Sequence, residues 1–371
     1  MKPTKSLPLF PTSVIGSLPR PQWVLDLVAA HAAGKIDEKE FEEQSDRAAL
    51  FAIGLQEQAG LDIVTDGEWR REGYFQIFIE KVGGFQDGLI PGRYRNWPAV
   101  VKKIKYTQPI TCDALAFLRR HTKRKTKATI PSPYIIARRF YHPEHSKKGY
   151  KHRDDFLWDC AEVLRKEARK IEETGADFIQ VDDPLIGYFV DDKYRTQSSG
   201  HPGTTWFPHD VEKELQVAIE ASNHVLGGVK KATTILHVCR GNWQRGSDAV
   251  GSYDRIWSHL CRSCAKQLAL EFALPAAGGV DVLKKFPQDK QLGLGCVDVR
   301  SVEVEKPETI QGRVEAALQH LPADRITLNP DCGFAPSSVS TIPLDEPYLK
   351  LKAECEAAKR LREKWSIGVT E

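Results

Sequence analysis

Short apolar, β-branched runs recur along the chain, each ending in turn residues and each separated from the next by residues with helical apolar spacing. The first run is Thr12–Ser17, followed by a proline-flanked turn and a helix from about Trp23. The second, Leu61–Asp66, is entered from a helix over Phe41–Ala59 through Gly60, which reads as its C-cap. A long excursion from Gly67 to about His121 holds glycine- and proline-rich turns and an alternating piece, Val100–Tyr106. It predicts a β-hairpin insertion and then a helix from Asp113. Ala128–Pro131 is the third run, followed by a charged loop, His142–Arg153, and a helix over Phe156–Thr174 that stops at Gly175. Phe178–Asp182 is the fourth. An irregular loop, Tyr188–Pro208, and a helix over Val211–Lys230 lead to the fifth, Thr233–Val238. A helix over Tyr253–Lys266 precedes the sixth, Leu268–Phe272; the seventh is Gln291–Val297, then a helix around Thr309–His320. Arg325–Asn329 is the eighth, and a charged helix over Asp345–Lys364 follows it.

Eight buried-type strands alternating with helices predict an α/β fold, a (β/α)8 TIM barrel with a β-hairpin insertion after strand two, spanning residues 1–371 as one unit. Gly293-Leu294-Gly295 lies within or at the end of a strand and lacks a third glycine before a helix, so it is no dinucleotide fingerprint. In a barrel all strand C-termini meet one rim, where catalytic residues gather.

Composition changes this picture little. With 41% hydrophobic and 28% charged residues, the chain can bury a substantial core. Basic and acidic residues nearly cancel, 53 against 50, which gives no support to a nucleic-acid or membrane-surface role. The one dense basic run, Arg119–Lys127, reads as a solvated helix end and loop. Met1–Lys5 is polar with no apolar segment behind it, no run approaches the ~18 apolar residues of a spanning helix, and Ile367–Glu371 carries no lipidation or retrieval signal. These features predict a cytoplasmic, reducing compartment in which the eight cysteines stay unpaired.

Candidate chemistry lies at the strand ends. Strand five ends in His237-Val238-Cys239, whose His and Cys side chains point to the same side of the strand and can reach one ion. Strand six carries Glu271 in an apolar run, and the turn after strand eight, Asn329-Pro330-Asp331-Cys332-Gly333, brings a thiol to the same rim. A buried carboxylate needs a partner or a metal. His237, Cys239, Glu271 and Cys332 therefore form a candidate tetrahedral zinc site. Cys112, Cys160, Cys261, Cys264 and Cys355 fall in predicted helices and read as small buried hydrophobes; Cys296, on strand seven, reads as a bystander.

Ile15-Gly16-Ser17, Asp66-Gly67-Glu68 and Asp182-Asp183-Pro184 end strands one, two and four. Together they would form a cup, with carboxylates for an ammonium group and backbone N–H plus hydroxyl for a carboxylate. The alternative for each acid is a helix N-cap or an ion pair with Arg70 or Arg71. Zinc bound by thiolates and histidine can take a substrate sulfur, lower its pKa and hold it as a nucleophile. With no redox-cofactor motif, attack by that sulfur on an alkyl donor is the economical hypothesis.

These five motifs at five strand ends resemble the C-terminal catalytic barrel of cobalamin-independent methionine synthase, over nearly the whole chain. The resemblance implies zinc-dependent methyl transfer from a 5-methyltetrahydrofolate to homocysteine, with His237, Cys239, Glu271 and Cys332 matching the zinc ligands. It implies that Ile15, Gly16, Ser17, Glu68 and Asp182 hold the amino-acid substrate. Two departures stand out. There is no room for the second, N-terminal barrel of the full-length enzymes, so the chain resembles a short single-barrel branch. Where those enzymes carry a histidine in an Asp-x-His segment, this chain has Asp298-Val299-Arg300. Asp298 and Arg300 are thus the candidate catalytic pair, but an arginine cannot serve as a general acid and would instead bind an anionic group.

The expected partners are homocysteine and a folate or corrinoid methyl donor, with no nucleic acid and no membrane, and the chain is free to form a homo-oligomer. The alternative enzyme keeps the zinc thiolate but changes acceptor or donor, as in epoxyalkane:coenzyme M transferase, motivated by Arg240 and Arg300. A structural zinc in a closed four-ligand shell is the non-enzymatic alternative. A decarboxylase related in fold to uroporphyrinogen decarboxylase would leave the His and Cys pair without a purpose.

Overall fold

A computed structural model describes residues 6–92, 96–196, 210–242, 245–335 and 342–366. The polar start Met1–Lys5, the end Ile367–Glu371 and most of the irregular loop after Tyr188 lie outside the described residues. In chain order the strands are β1 (Ile63–Val64), β2 (Phe85–Ile90), β3 (Trp97–Val100), β4 (Lys125–Pro131), β5 (Phe178–Asp182), β6 (Thr233–Val238), β7 (Gln267–Glu271), β8 (Gln291–Val297) and β9 (Ile326–Pro330). The helices are α1 (Gln22–Ala32), α2 (Glu38–Ala59), α3 (Gln76–Val82), α4 (Cys112–His121), α5 (Pro133–Phe140), α6 (Arg153–Thr174), α7 (Pro184–Tyr188), α8 (Asp192–Thr196), α9 (Val211–Leu226), α10 (Trp257–Cys261), α11 (Pro307–Leu318) and α12 (Asp345–Ser366).

Seven strands form one parallel sheet in the order β1-β4-β5-β6-β7-β8-β9. The first predicted strand closes it: Thr12 bridges Leu328 and Ser13 bridges Ile63, both parallel. This stave is reduced to two bridges because Thr12 turns its N–H to the Asp62 carboxylate (2.9 Å) and Pro11 has none to give. The curled sheet matches the expected TIM barrel.

Capping sets the helix ends where the sequence signals them. Asp37 accepts from Glu40 N (2.8 Å) at the start of α2, and Gly60 (φ 102°) and Gly175 (φ 98°) end α2 and α6 in the left-handed region. The predicted helix over Tyr253–Lys266 is instead a 3-10 turn, Tyr253–Ile256, followed by the short α10. Its second half is drawn out by Asn223 of α9, which donates to Arg262 O (3.0 Å) and accepts from Cys264 N (2.7 Å). Cys264 is consequently exposed and non-helical. All eight cysteines are free, and among the described residues no helix is long and apolar enough to cross a membrane.

The excursion after β1 holds the antiparallel pair β2 and β3. The alternating piece assigned to a hairpin lies mostly beyond β3: Val101 and Lys102 donate instead to Gly84 O, and Ile104 N to the Tyr150 hydroxyl (2.9 Å). Its far end is pinned to α6 by Glu167, which accepts from Thr111 N (2.6 Å) and the Tyr106 hydroxyl (2.9 Å).

The basic run is also corrected. Its last three residues open β4, and strand alternation turns Lys127 into the barrel, where Nζ donates to Val14 O. Burial lowers the Lys127 pKa from 10.5 to about 8, against the pull of Asp182, Glu354 and Glu68. Between these values the unfolded chain holds a proton that the folded one has released, so the folded state gains with rising pH; below about 8 both are protonated and the contribution is constant. Unfolding free energies of wild type and Lys127→Met, measured in denaturant, should diverge in favour of wild type as pH rises from about 8 to 10.5. A difference that is flat across that window would contradict this.

Candidate metal and substrate site

The parallel register builds the site. β6 pairs with β5 so that His237 lies beside Asp182, and with β7 so that it lies beside Ala269. His237 Nδ1 sits 3.2 Å from Ala269 O, a bond that orients the ring and leaves Nε2 to face the site. Cys239 follows on the same side of the chain, and Cys332 arrives from the turn after β9. The donor atoms of His237, Cys239 and Cys332 all lie within 4.8 Å of one another, and all three residues are buried. Bonds of ~2.3 Å to sulfur and ~2.1 Å to nitrogen space tetrahedral ligand atoms by ~3.5–3.8 Å, so this group fits a thiophilic ion with little movement. The Cys332 hydrogen bond and burial push the Cys239 thiol well above its ordinary pKa, against the pull of His237. A divalent cation is what such a donor set needs to carry thiolate charge.

Backbone packing seats Cys239. Gly187 of α7 rests on its carbonyl, and a Cβ at residue 187 would fall deep inside contact distance of that oxygen. Strand alternation could not signal this requirement.

Glu271, the expected fourth donor, is not in that group. Its Oε2 accepts from Arg240 N and Nη1 (both 3.0 Å), and its Oε1 accepts from Arg300 Nη2 (2.6 Å). Arg240 is itself held by Gly251 O (2.9 Å) and Ala277 O (2.8 Å), with its guanidinium 4.0 Å from the Tyr253 ring centroid. Arg300 also donates to Gly241 O (2.7 Å), and its Nη1 lies 3.9 Å from Asp331. Burial would lower the Arg300 pKa, but Glu271, Cys332 and Asp331 more than offset it and the net shift is upward. Asp298 points elsewhere: its Oδ1 accepts from Arg300 N (2.7 Å) and Ser301 N (3.3 Å), closing the turn that carries Arg300. Asp331, between the two halves of the site, accepts from Phe272 N (3.0 Å) and Ala273 N (2.9 Å); burial, reinforced by Glu271, lifts its carboxyl to about 8.

The polar cup adjoins this cluster. Glu68, at φ 61° in the left-handed region, is held there by Arg20, which donates to Glu68 O (2.6 Å) and Arg71 O (2.7 Å). Its Oε1 accepts from Thr129 Oγ1 (2.8 Å) and lies 3.8 Å from Arg71, while its buried Oε2 has no hydrogen-bond partner among the described residues. Gly16 faces that carboxylate so closely that any Cβ would displace it. Ser17 packs its hydroxyl on Gly333 and accepts from Phe334 N (3.1 Å), while Ile15 O accepts from Gln180 Nε2 (3.1 Å). The other amide bond from Gln180 goes to Asp182 (2.7 Å); burial raises that carboxyl to about 6, with Glu68 adding to the rise and His237 and Lys127 opposing it. Asp183 caps α7 through Ile186 N (3.4 Å), and Asp66 lies 3.8 Å from Arg71, the alternatives the sequence left open for acids at these ends. Arg20, Thr129 and Gly187 carry no signal in the sequence, because a lone residue of these types makes no pattern, whereas strand alternation places Lys127 inward.

Fold and site define a parallel barrel with a His-Cys-Cys donor group and an acid-lined cup at its mouth. Comparison with known proteins agrees. The family model described as "Cobalamin-independent synthase, Catalytic domain" matches residues 10–359. Methionine synthase of Sulfurisphaera tokodaii is 30% identical over 365 residues, covering 96% of this chain and 94% of that protein. Methionine synthase of Pyrococcus furiosus is 32% identical over 333 residues, covering 88% and 87%. Among solved structures, a B12-independent methionine synthase from a Shewanella strain in complex with selenomethionine superposes with a TM-score of 0.76 at 23% identity, covering 97% of this chain and 99% of that one. A putative vitamin-B12 independent methionine synthase from Listeria monocytogenes gives 0.72 at 19%, covering 96% and 99%. The chain belongs to the cobalamin-independent methionine synthase family, methyltransferases that convert homocysteine to methionine.

Gly187→Ala should push the Cys239 carbonyl and its sulfur out of register. Metal retained after dialysis against a chelator, read by elemental analysis, is expected to fall by about tenfold or more, the scale set by support groups behind a metal ligand. Retention equal to wild type in a folded variant would show that the close packing is dispensable.

Proposed function

We propose that this barrel acts as one catalytic unit that binds Zn2+ through His237, Cys239 and Cys332 and methylates homocysteine, with the donor a methyltetrahydrofolate or a methyl corrinoid. The convergence of those three donors within 4.8 Å is the observation that carries the proposal. A bound zinc would lower the pKa of the substrate thiol and hold it as a nucleophile near neutral pH.

The chain's own residues do the rest. Glu68, with a buried oxygen that lacks a partner among the described residues, and Asp182 receive the substrate ammonium. The Ile15–Ser17 segment offers backbone N–H groups and the Ser17 hydroxyl to the carboxylate. The amino-acid end would thus be fixed beside Cys332, because Ser17 packs on Gly333. Buried strand ends around the cluster exclude water from the thiol. Asp298 positions Arg300 rather than moving a proton, so the leaving group draws its proton from another source. Against a sulfonated thiol, Arg240 directs all three guanidinium nitrogens at Glu271 and backbone carbonyls, and Arg300 directs Nη2 at Glu271 and Gly241 O, which favours homocysteine as the acceptor.

The test is a screen of zinc-loaded protein with homocysteine against methyltetrahydrofolates and methyl corrinoids, read as the mass of the thioether product. Methionine from at least one donor is expected, and failure with every donor would overturn the activity. Cys239→Ser and Cys332→Ser should each lower zinc affinity by at least ~10–100-fold and abolish turnover together with metal content. Glu68→Gln should retain zinc and raise KM for homocysteine by roughly 10–100-fold, the cost of a charge-assisted hydrogen bond; an unchanged KM would remove Glu68 from the cup.

A further inference from the structure

Glu271 ends β7 beside the donor group, yet its carboxylate is bound on both edges by cations from two other strand ends. Oε2 faces the main-chain N–H and guanidinium of Arg240, and Oε1 faces the guanidinium of Arg300. The three side chains are almost completely buried, so their attraction is little screened. Both arginines are anchored to backbone, Arg240 on Gly251 O and Ala277 O and Arg300 on Gly241 O. The Arg300 turn is in turn fixed by Asp298, and Lys350 of α12 donates to Asp298 O (2.7 Å).

We propose that Arg300, backed by Arg240, is a positioning residue that holds the Glu271 carboxylate away from the ion at His237, Cys239 and Cys332, keeping a fourth position open for the substrate thiol. The inference rests on the zinc reading above and adds who competes for Glu271. An arginine suits the task because its charge is permanent and Nη2 serves the Glu271 carboxylate and the Gly241 carbonyl together. A neutral or shorter residue at position 300 would leave Oε1 with no cation on its edge, and the ion would become its best remaining partner. Arginine at this position thus has a use of its own, separate from proton transfer.

The experiment compares full-length zinc-loaded wild type, Arg300→Met, Glu271→Gln and the double variant by chelator competition and by homocysteine affinity, with cobalt(II) substitution to read the ligand field. Arg300→Met is expected to hold zinc about tenfold more tightly and homocysteine about tenfold more weakly, because the thiol must then displace a carboxylate. Its cobalt spectrum should also shift, and all three changes should vanish in the Glu271→Gln background. Unchanged retention and spectrum in Arg300→Met, or changes that persist without Glu271, would overturn the clamp. Should Arg300→Met fail to fold, Arg300→Gln, which stays polar but removes the charge, is read in the same assays; values equal to wild type would overturn the clamp. Wild-type protein that takes up no zinc would overturn the zinc reading itself, whereas zinc uptake without these shifts would overturn the clamp alone.

Discussion

Everything at the mouth of this barrel depends on closure of the sheet at its weakest seam. Leu328 donates to Pro11 O (2.8 Å), Ser13 to Leu328 O (3.0 Å) and Ile63 to Thr12 O (3.0 Å), so a few main-chain bonds join β9 to β1 through a stave with no regular strand of its own. Closure makes neighbours of residues from opposite ends of the chain: Ser17 packs on Gly333, and Phe334 donates to Ser17 O. Side-chain bonds reinforce the seam. Arg362 of α12 reaches Phe10 O (2.9 Å) and Asp62 (2.6 Å), which ties the last helix to the first stave.

Closing a barrel around acids creates an electrostatic problem, and the molecule meets it with buried cations. Glu68 and Asp66 face Arg71, Asp182 faces Lys127, and Glu271 faces Arg240 and Arg300. Each cation also donates to at least one backbone carbonyl, as with Lys127 on Val14 and Arg20 on Glu68 and Arg71. Buried charges persist only with such compensation. The compensation is incomplete: among the described residues one carboxylate oxygen each of Asp66, Glu68, Asp183 and Asp331 is buried without a hydrogen-bond partner.

Most of the barrel was legible because its strands are apolar runs with sharp ends; β5, β6 and β8 fall on the predicted residues. Legibility failed where a distant side chain decided the outcome. Asn223 unwinds the chain after α10 from a position on α9, and nothing within Tyr253–Lys266 signals it. Lys127 was grouped with its basic neighbours, although strand alternation alone turns it inward. The donor trio was readable from type and spacing, His237 and Cys239 on one strand end and Cys332 on another. Glu271 was readable as a buried acid at the rim but not as the partner of Arg300, since 29 residues, with the whole of β8 among them, separate the two.

Gly187 has a mechanical consequence. The α7 backbone lies against the Cys239 carbonyl, so the main chain that carries the sulfur is seated by backbone rather than by movable side chains. Side chains hop between rotamers far more readily than the end of a hydrogen-bonded sheet shifts. The end of the strand that carries Cys239 is therefore stiff, and a shift there would need the sheet and α7 to move together.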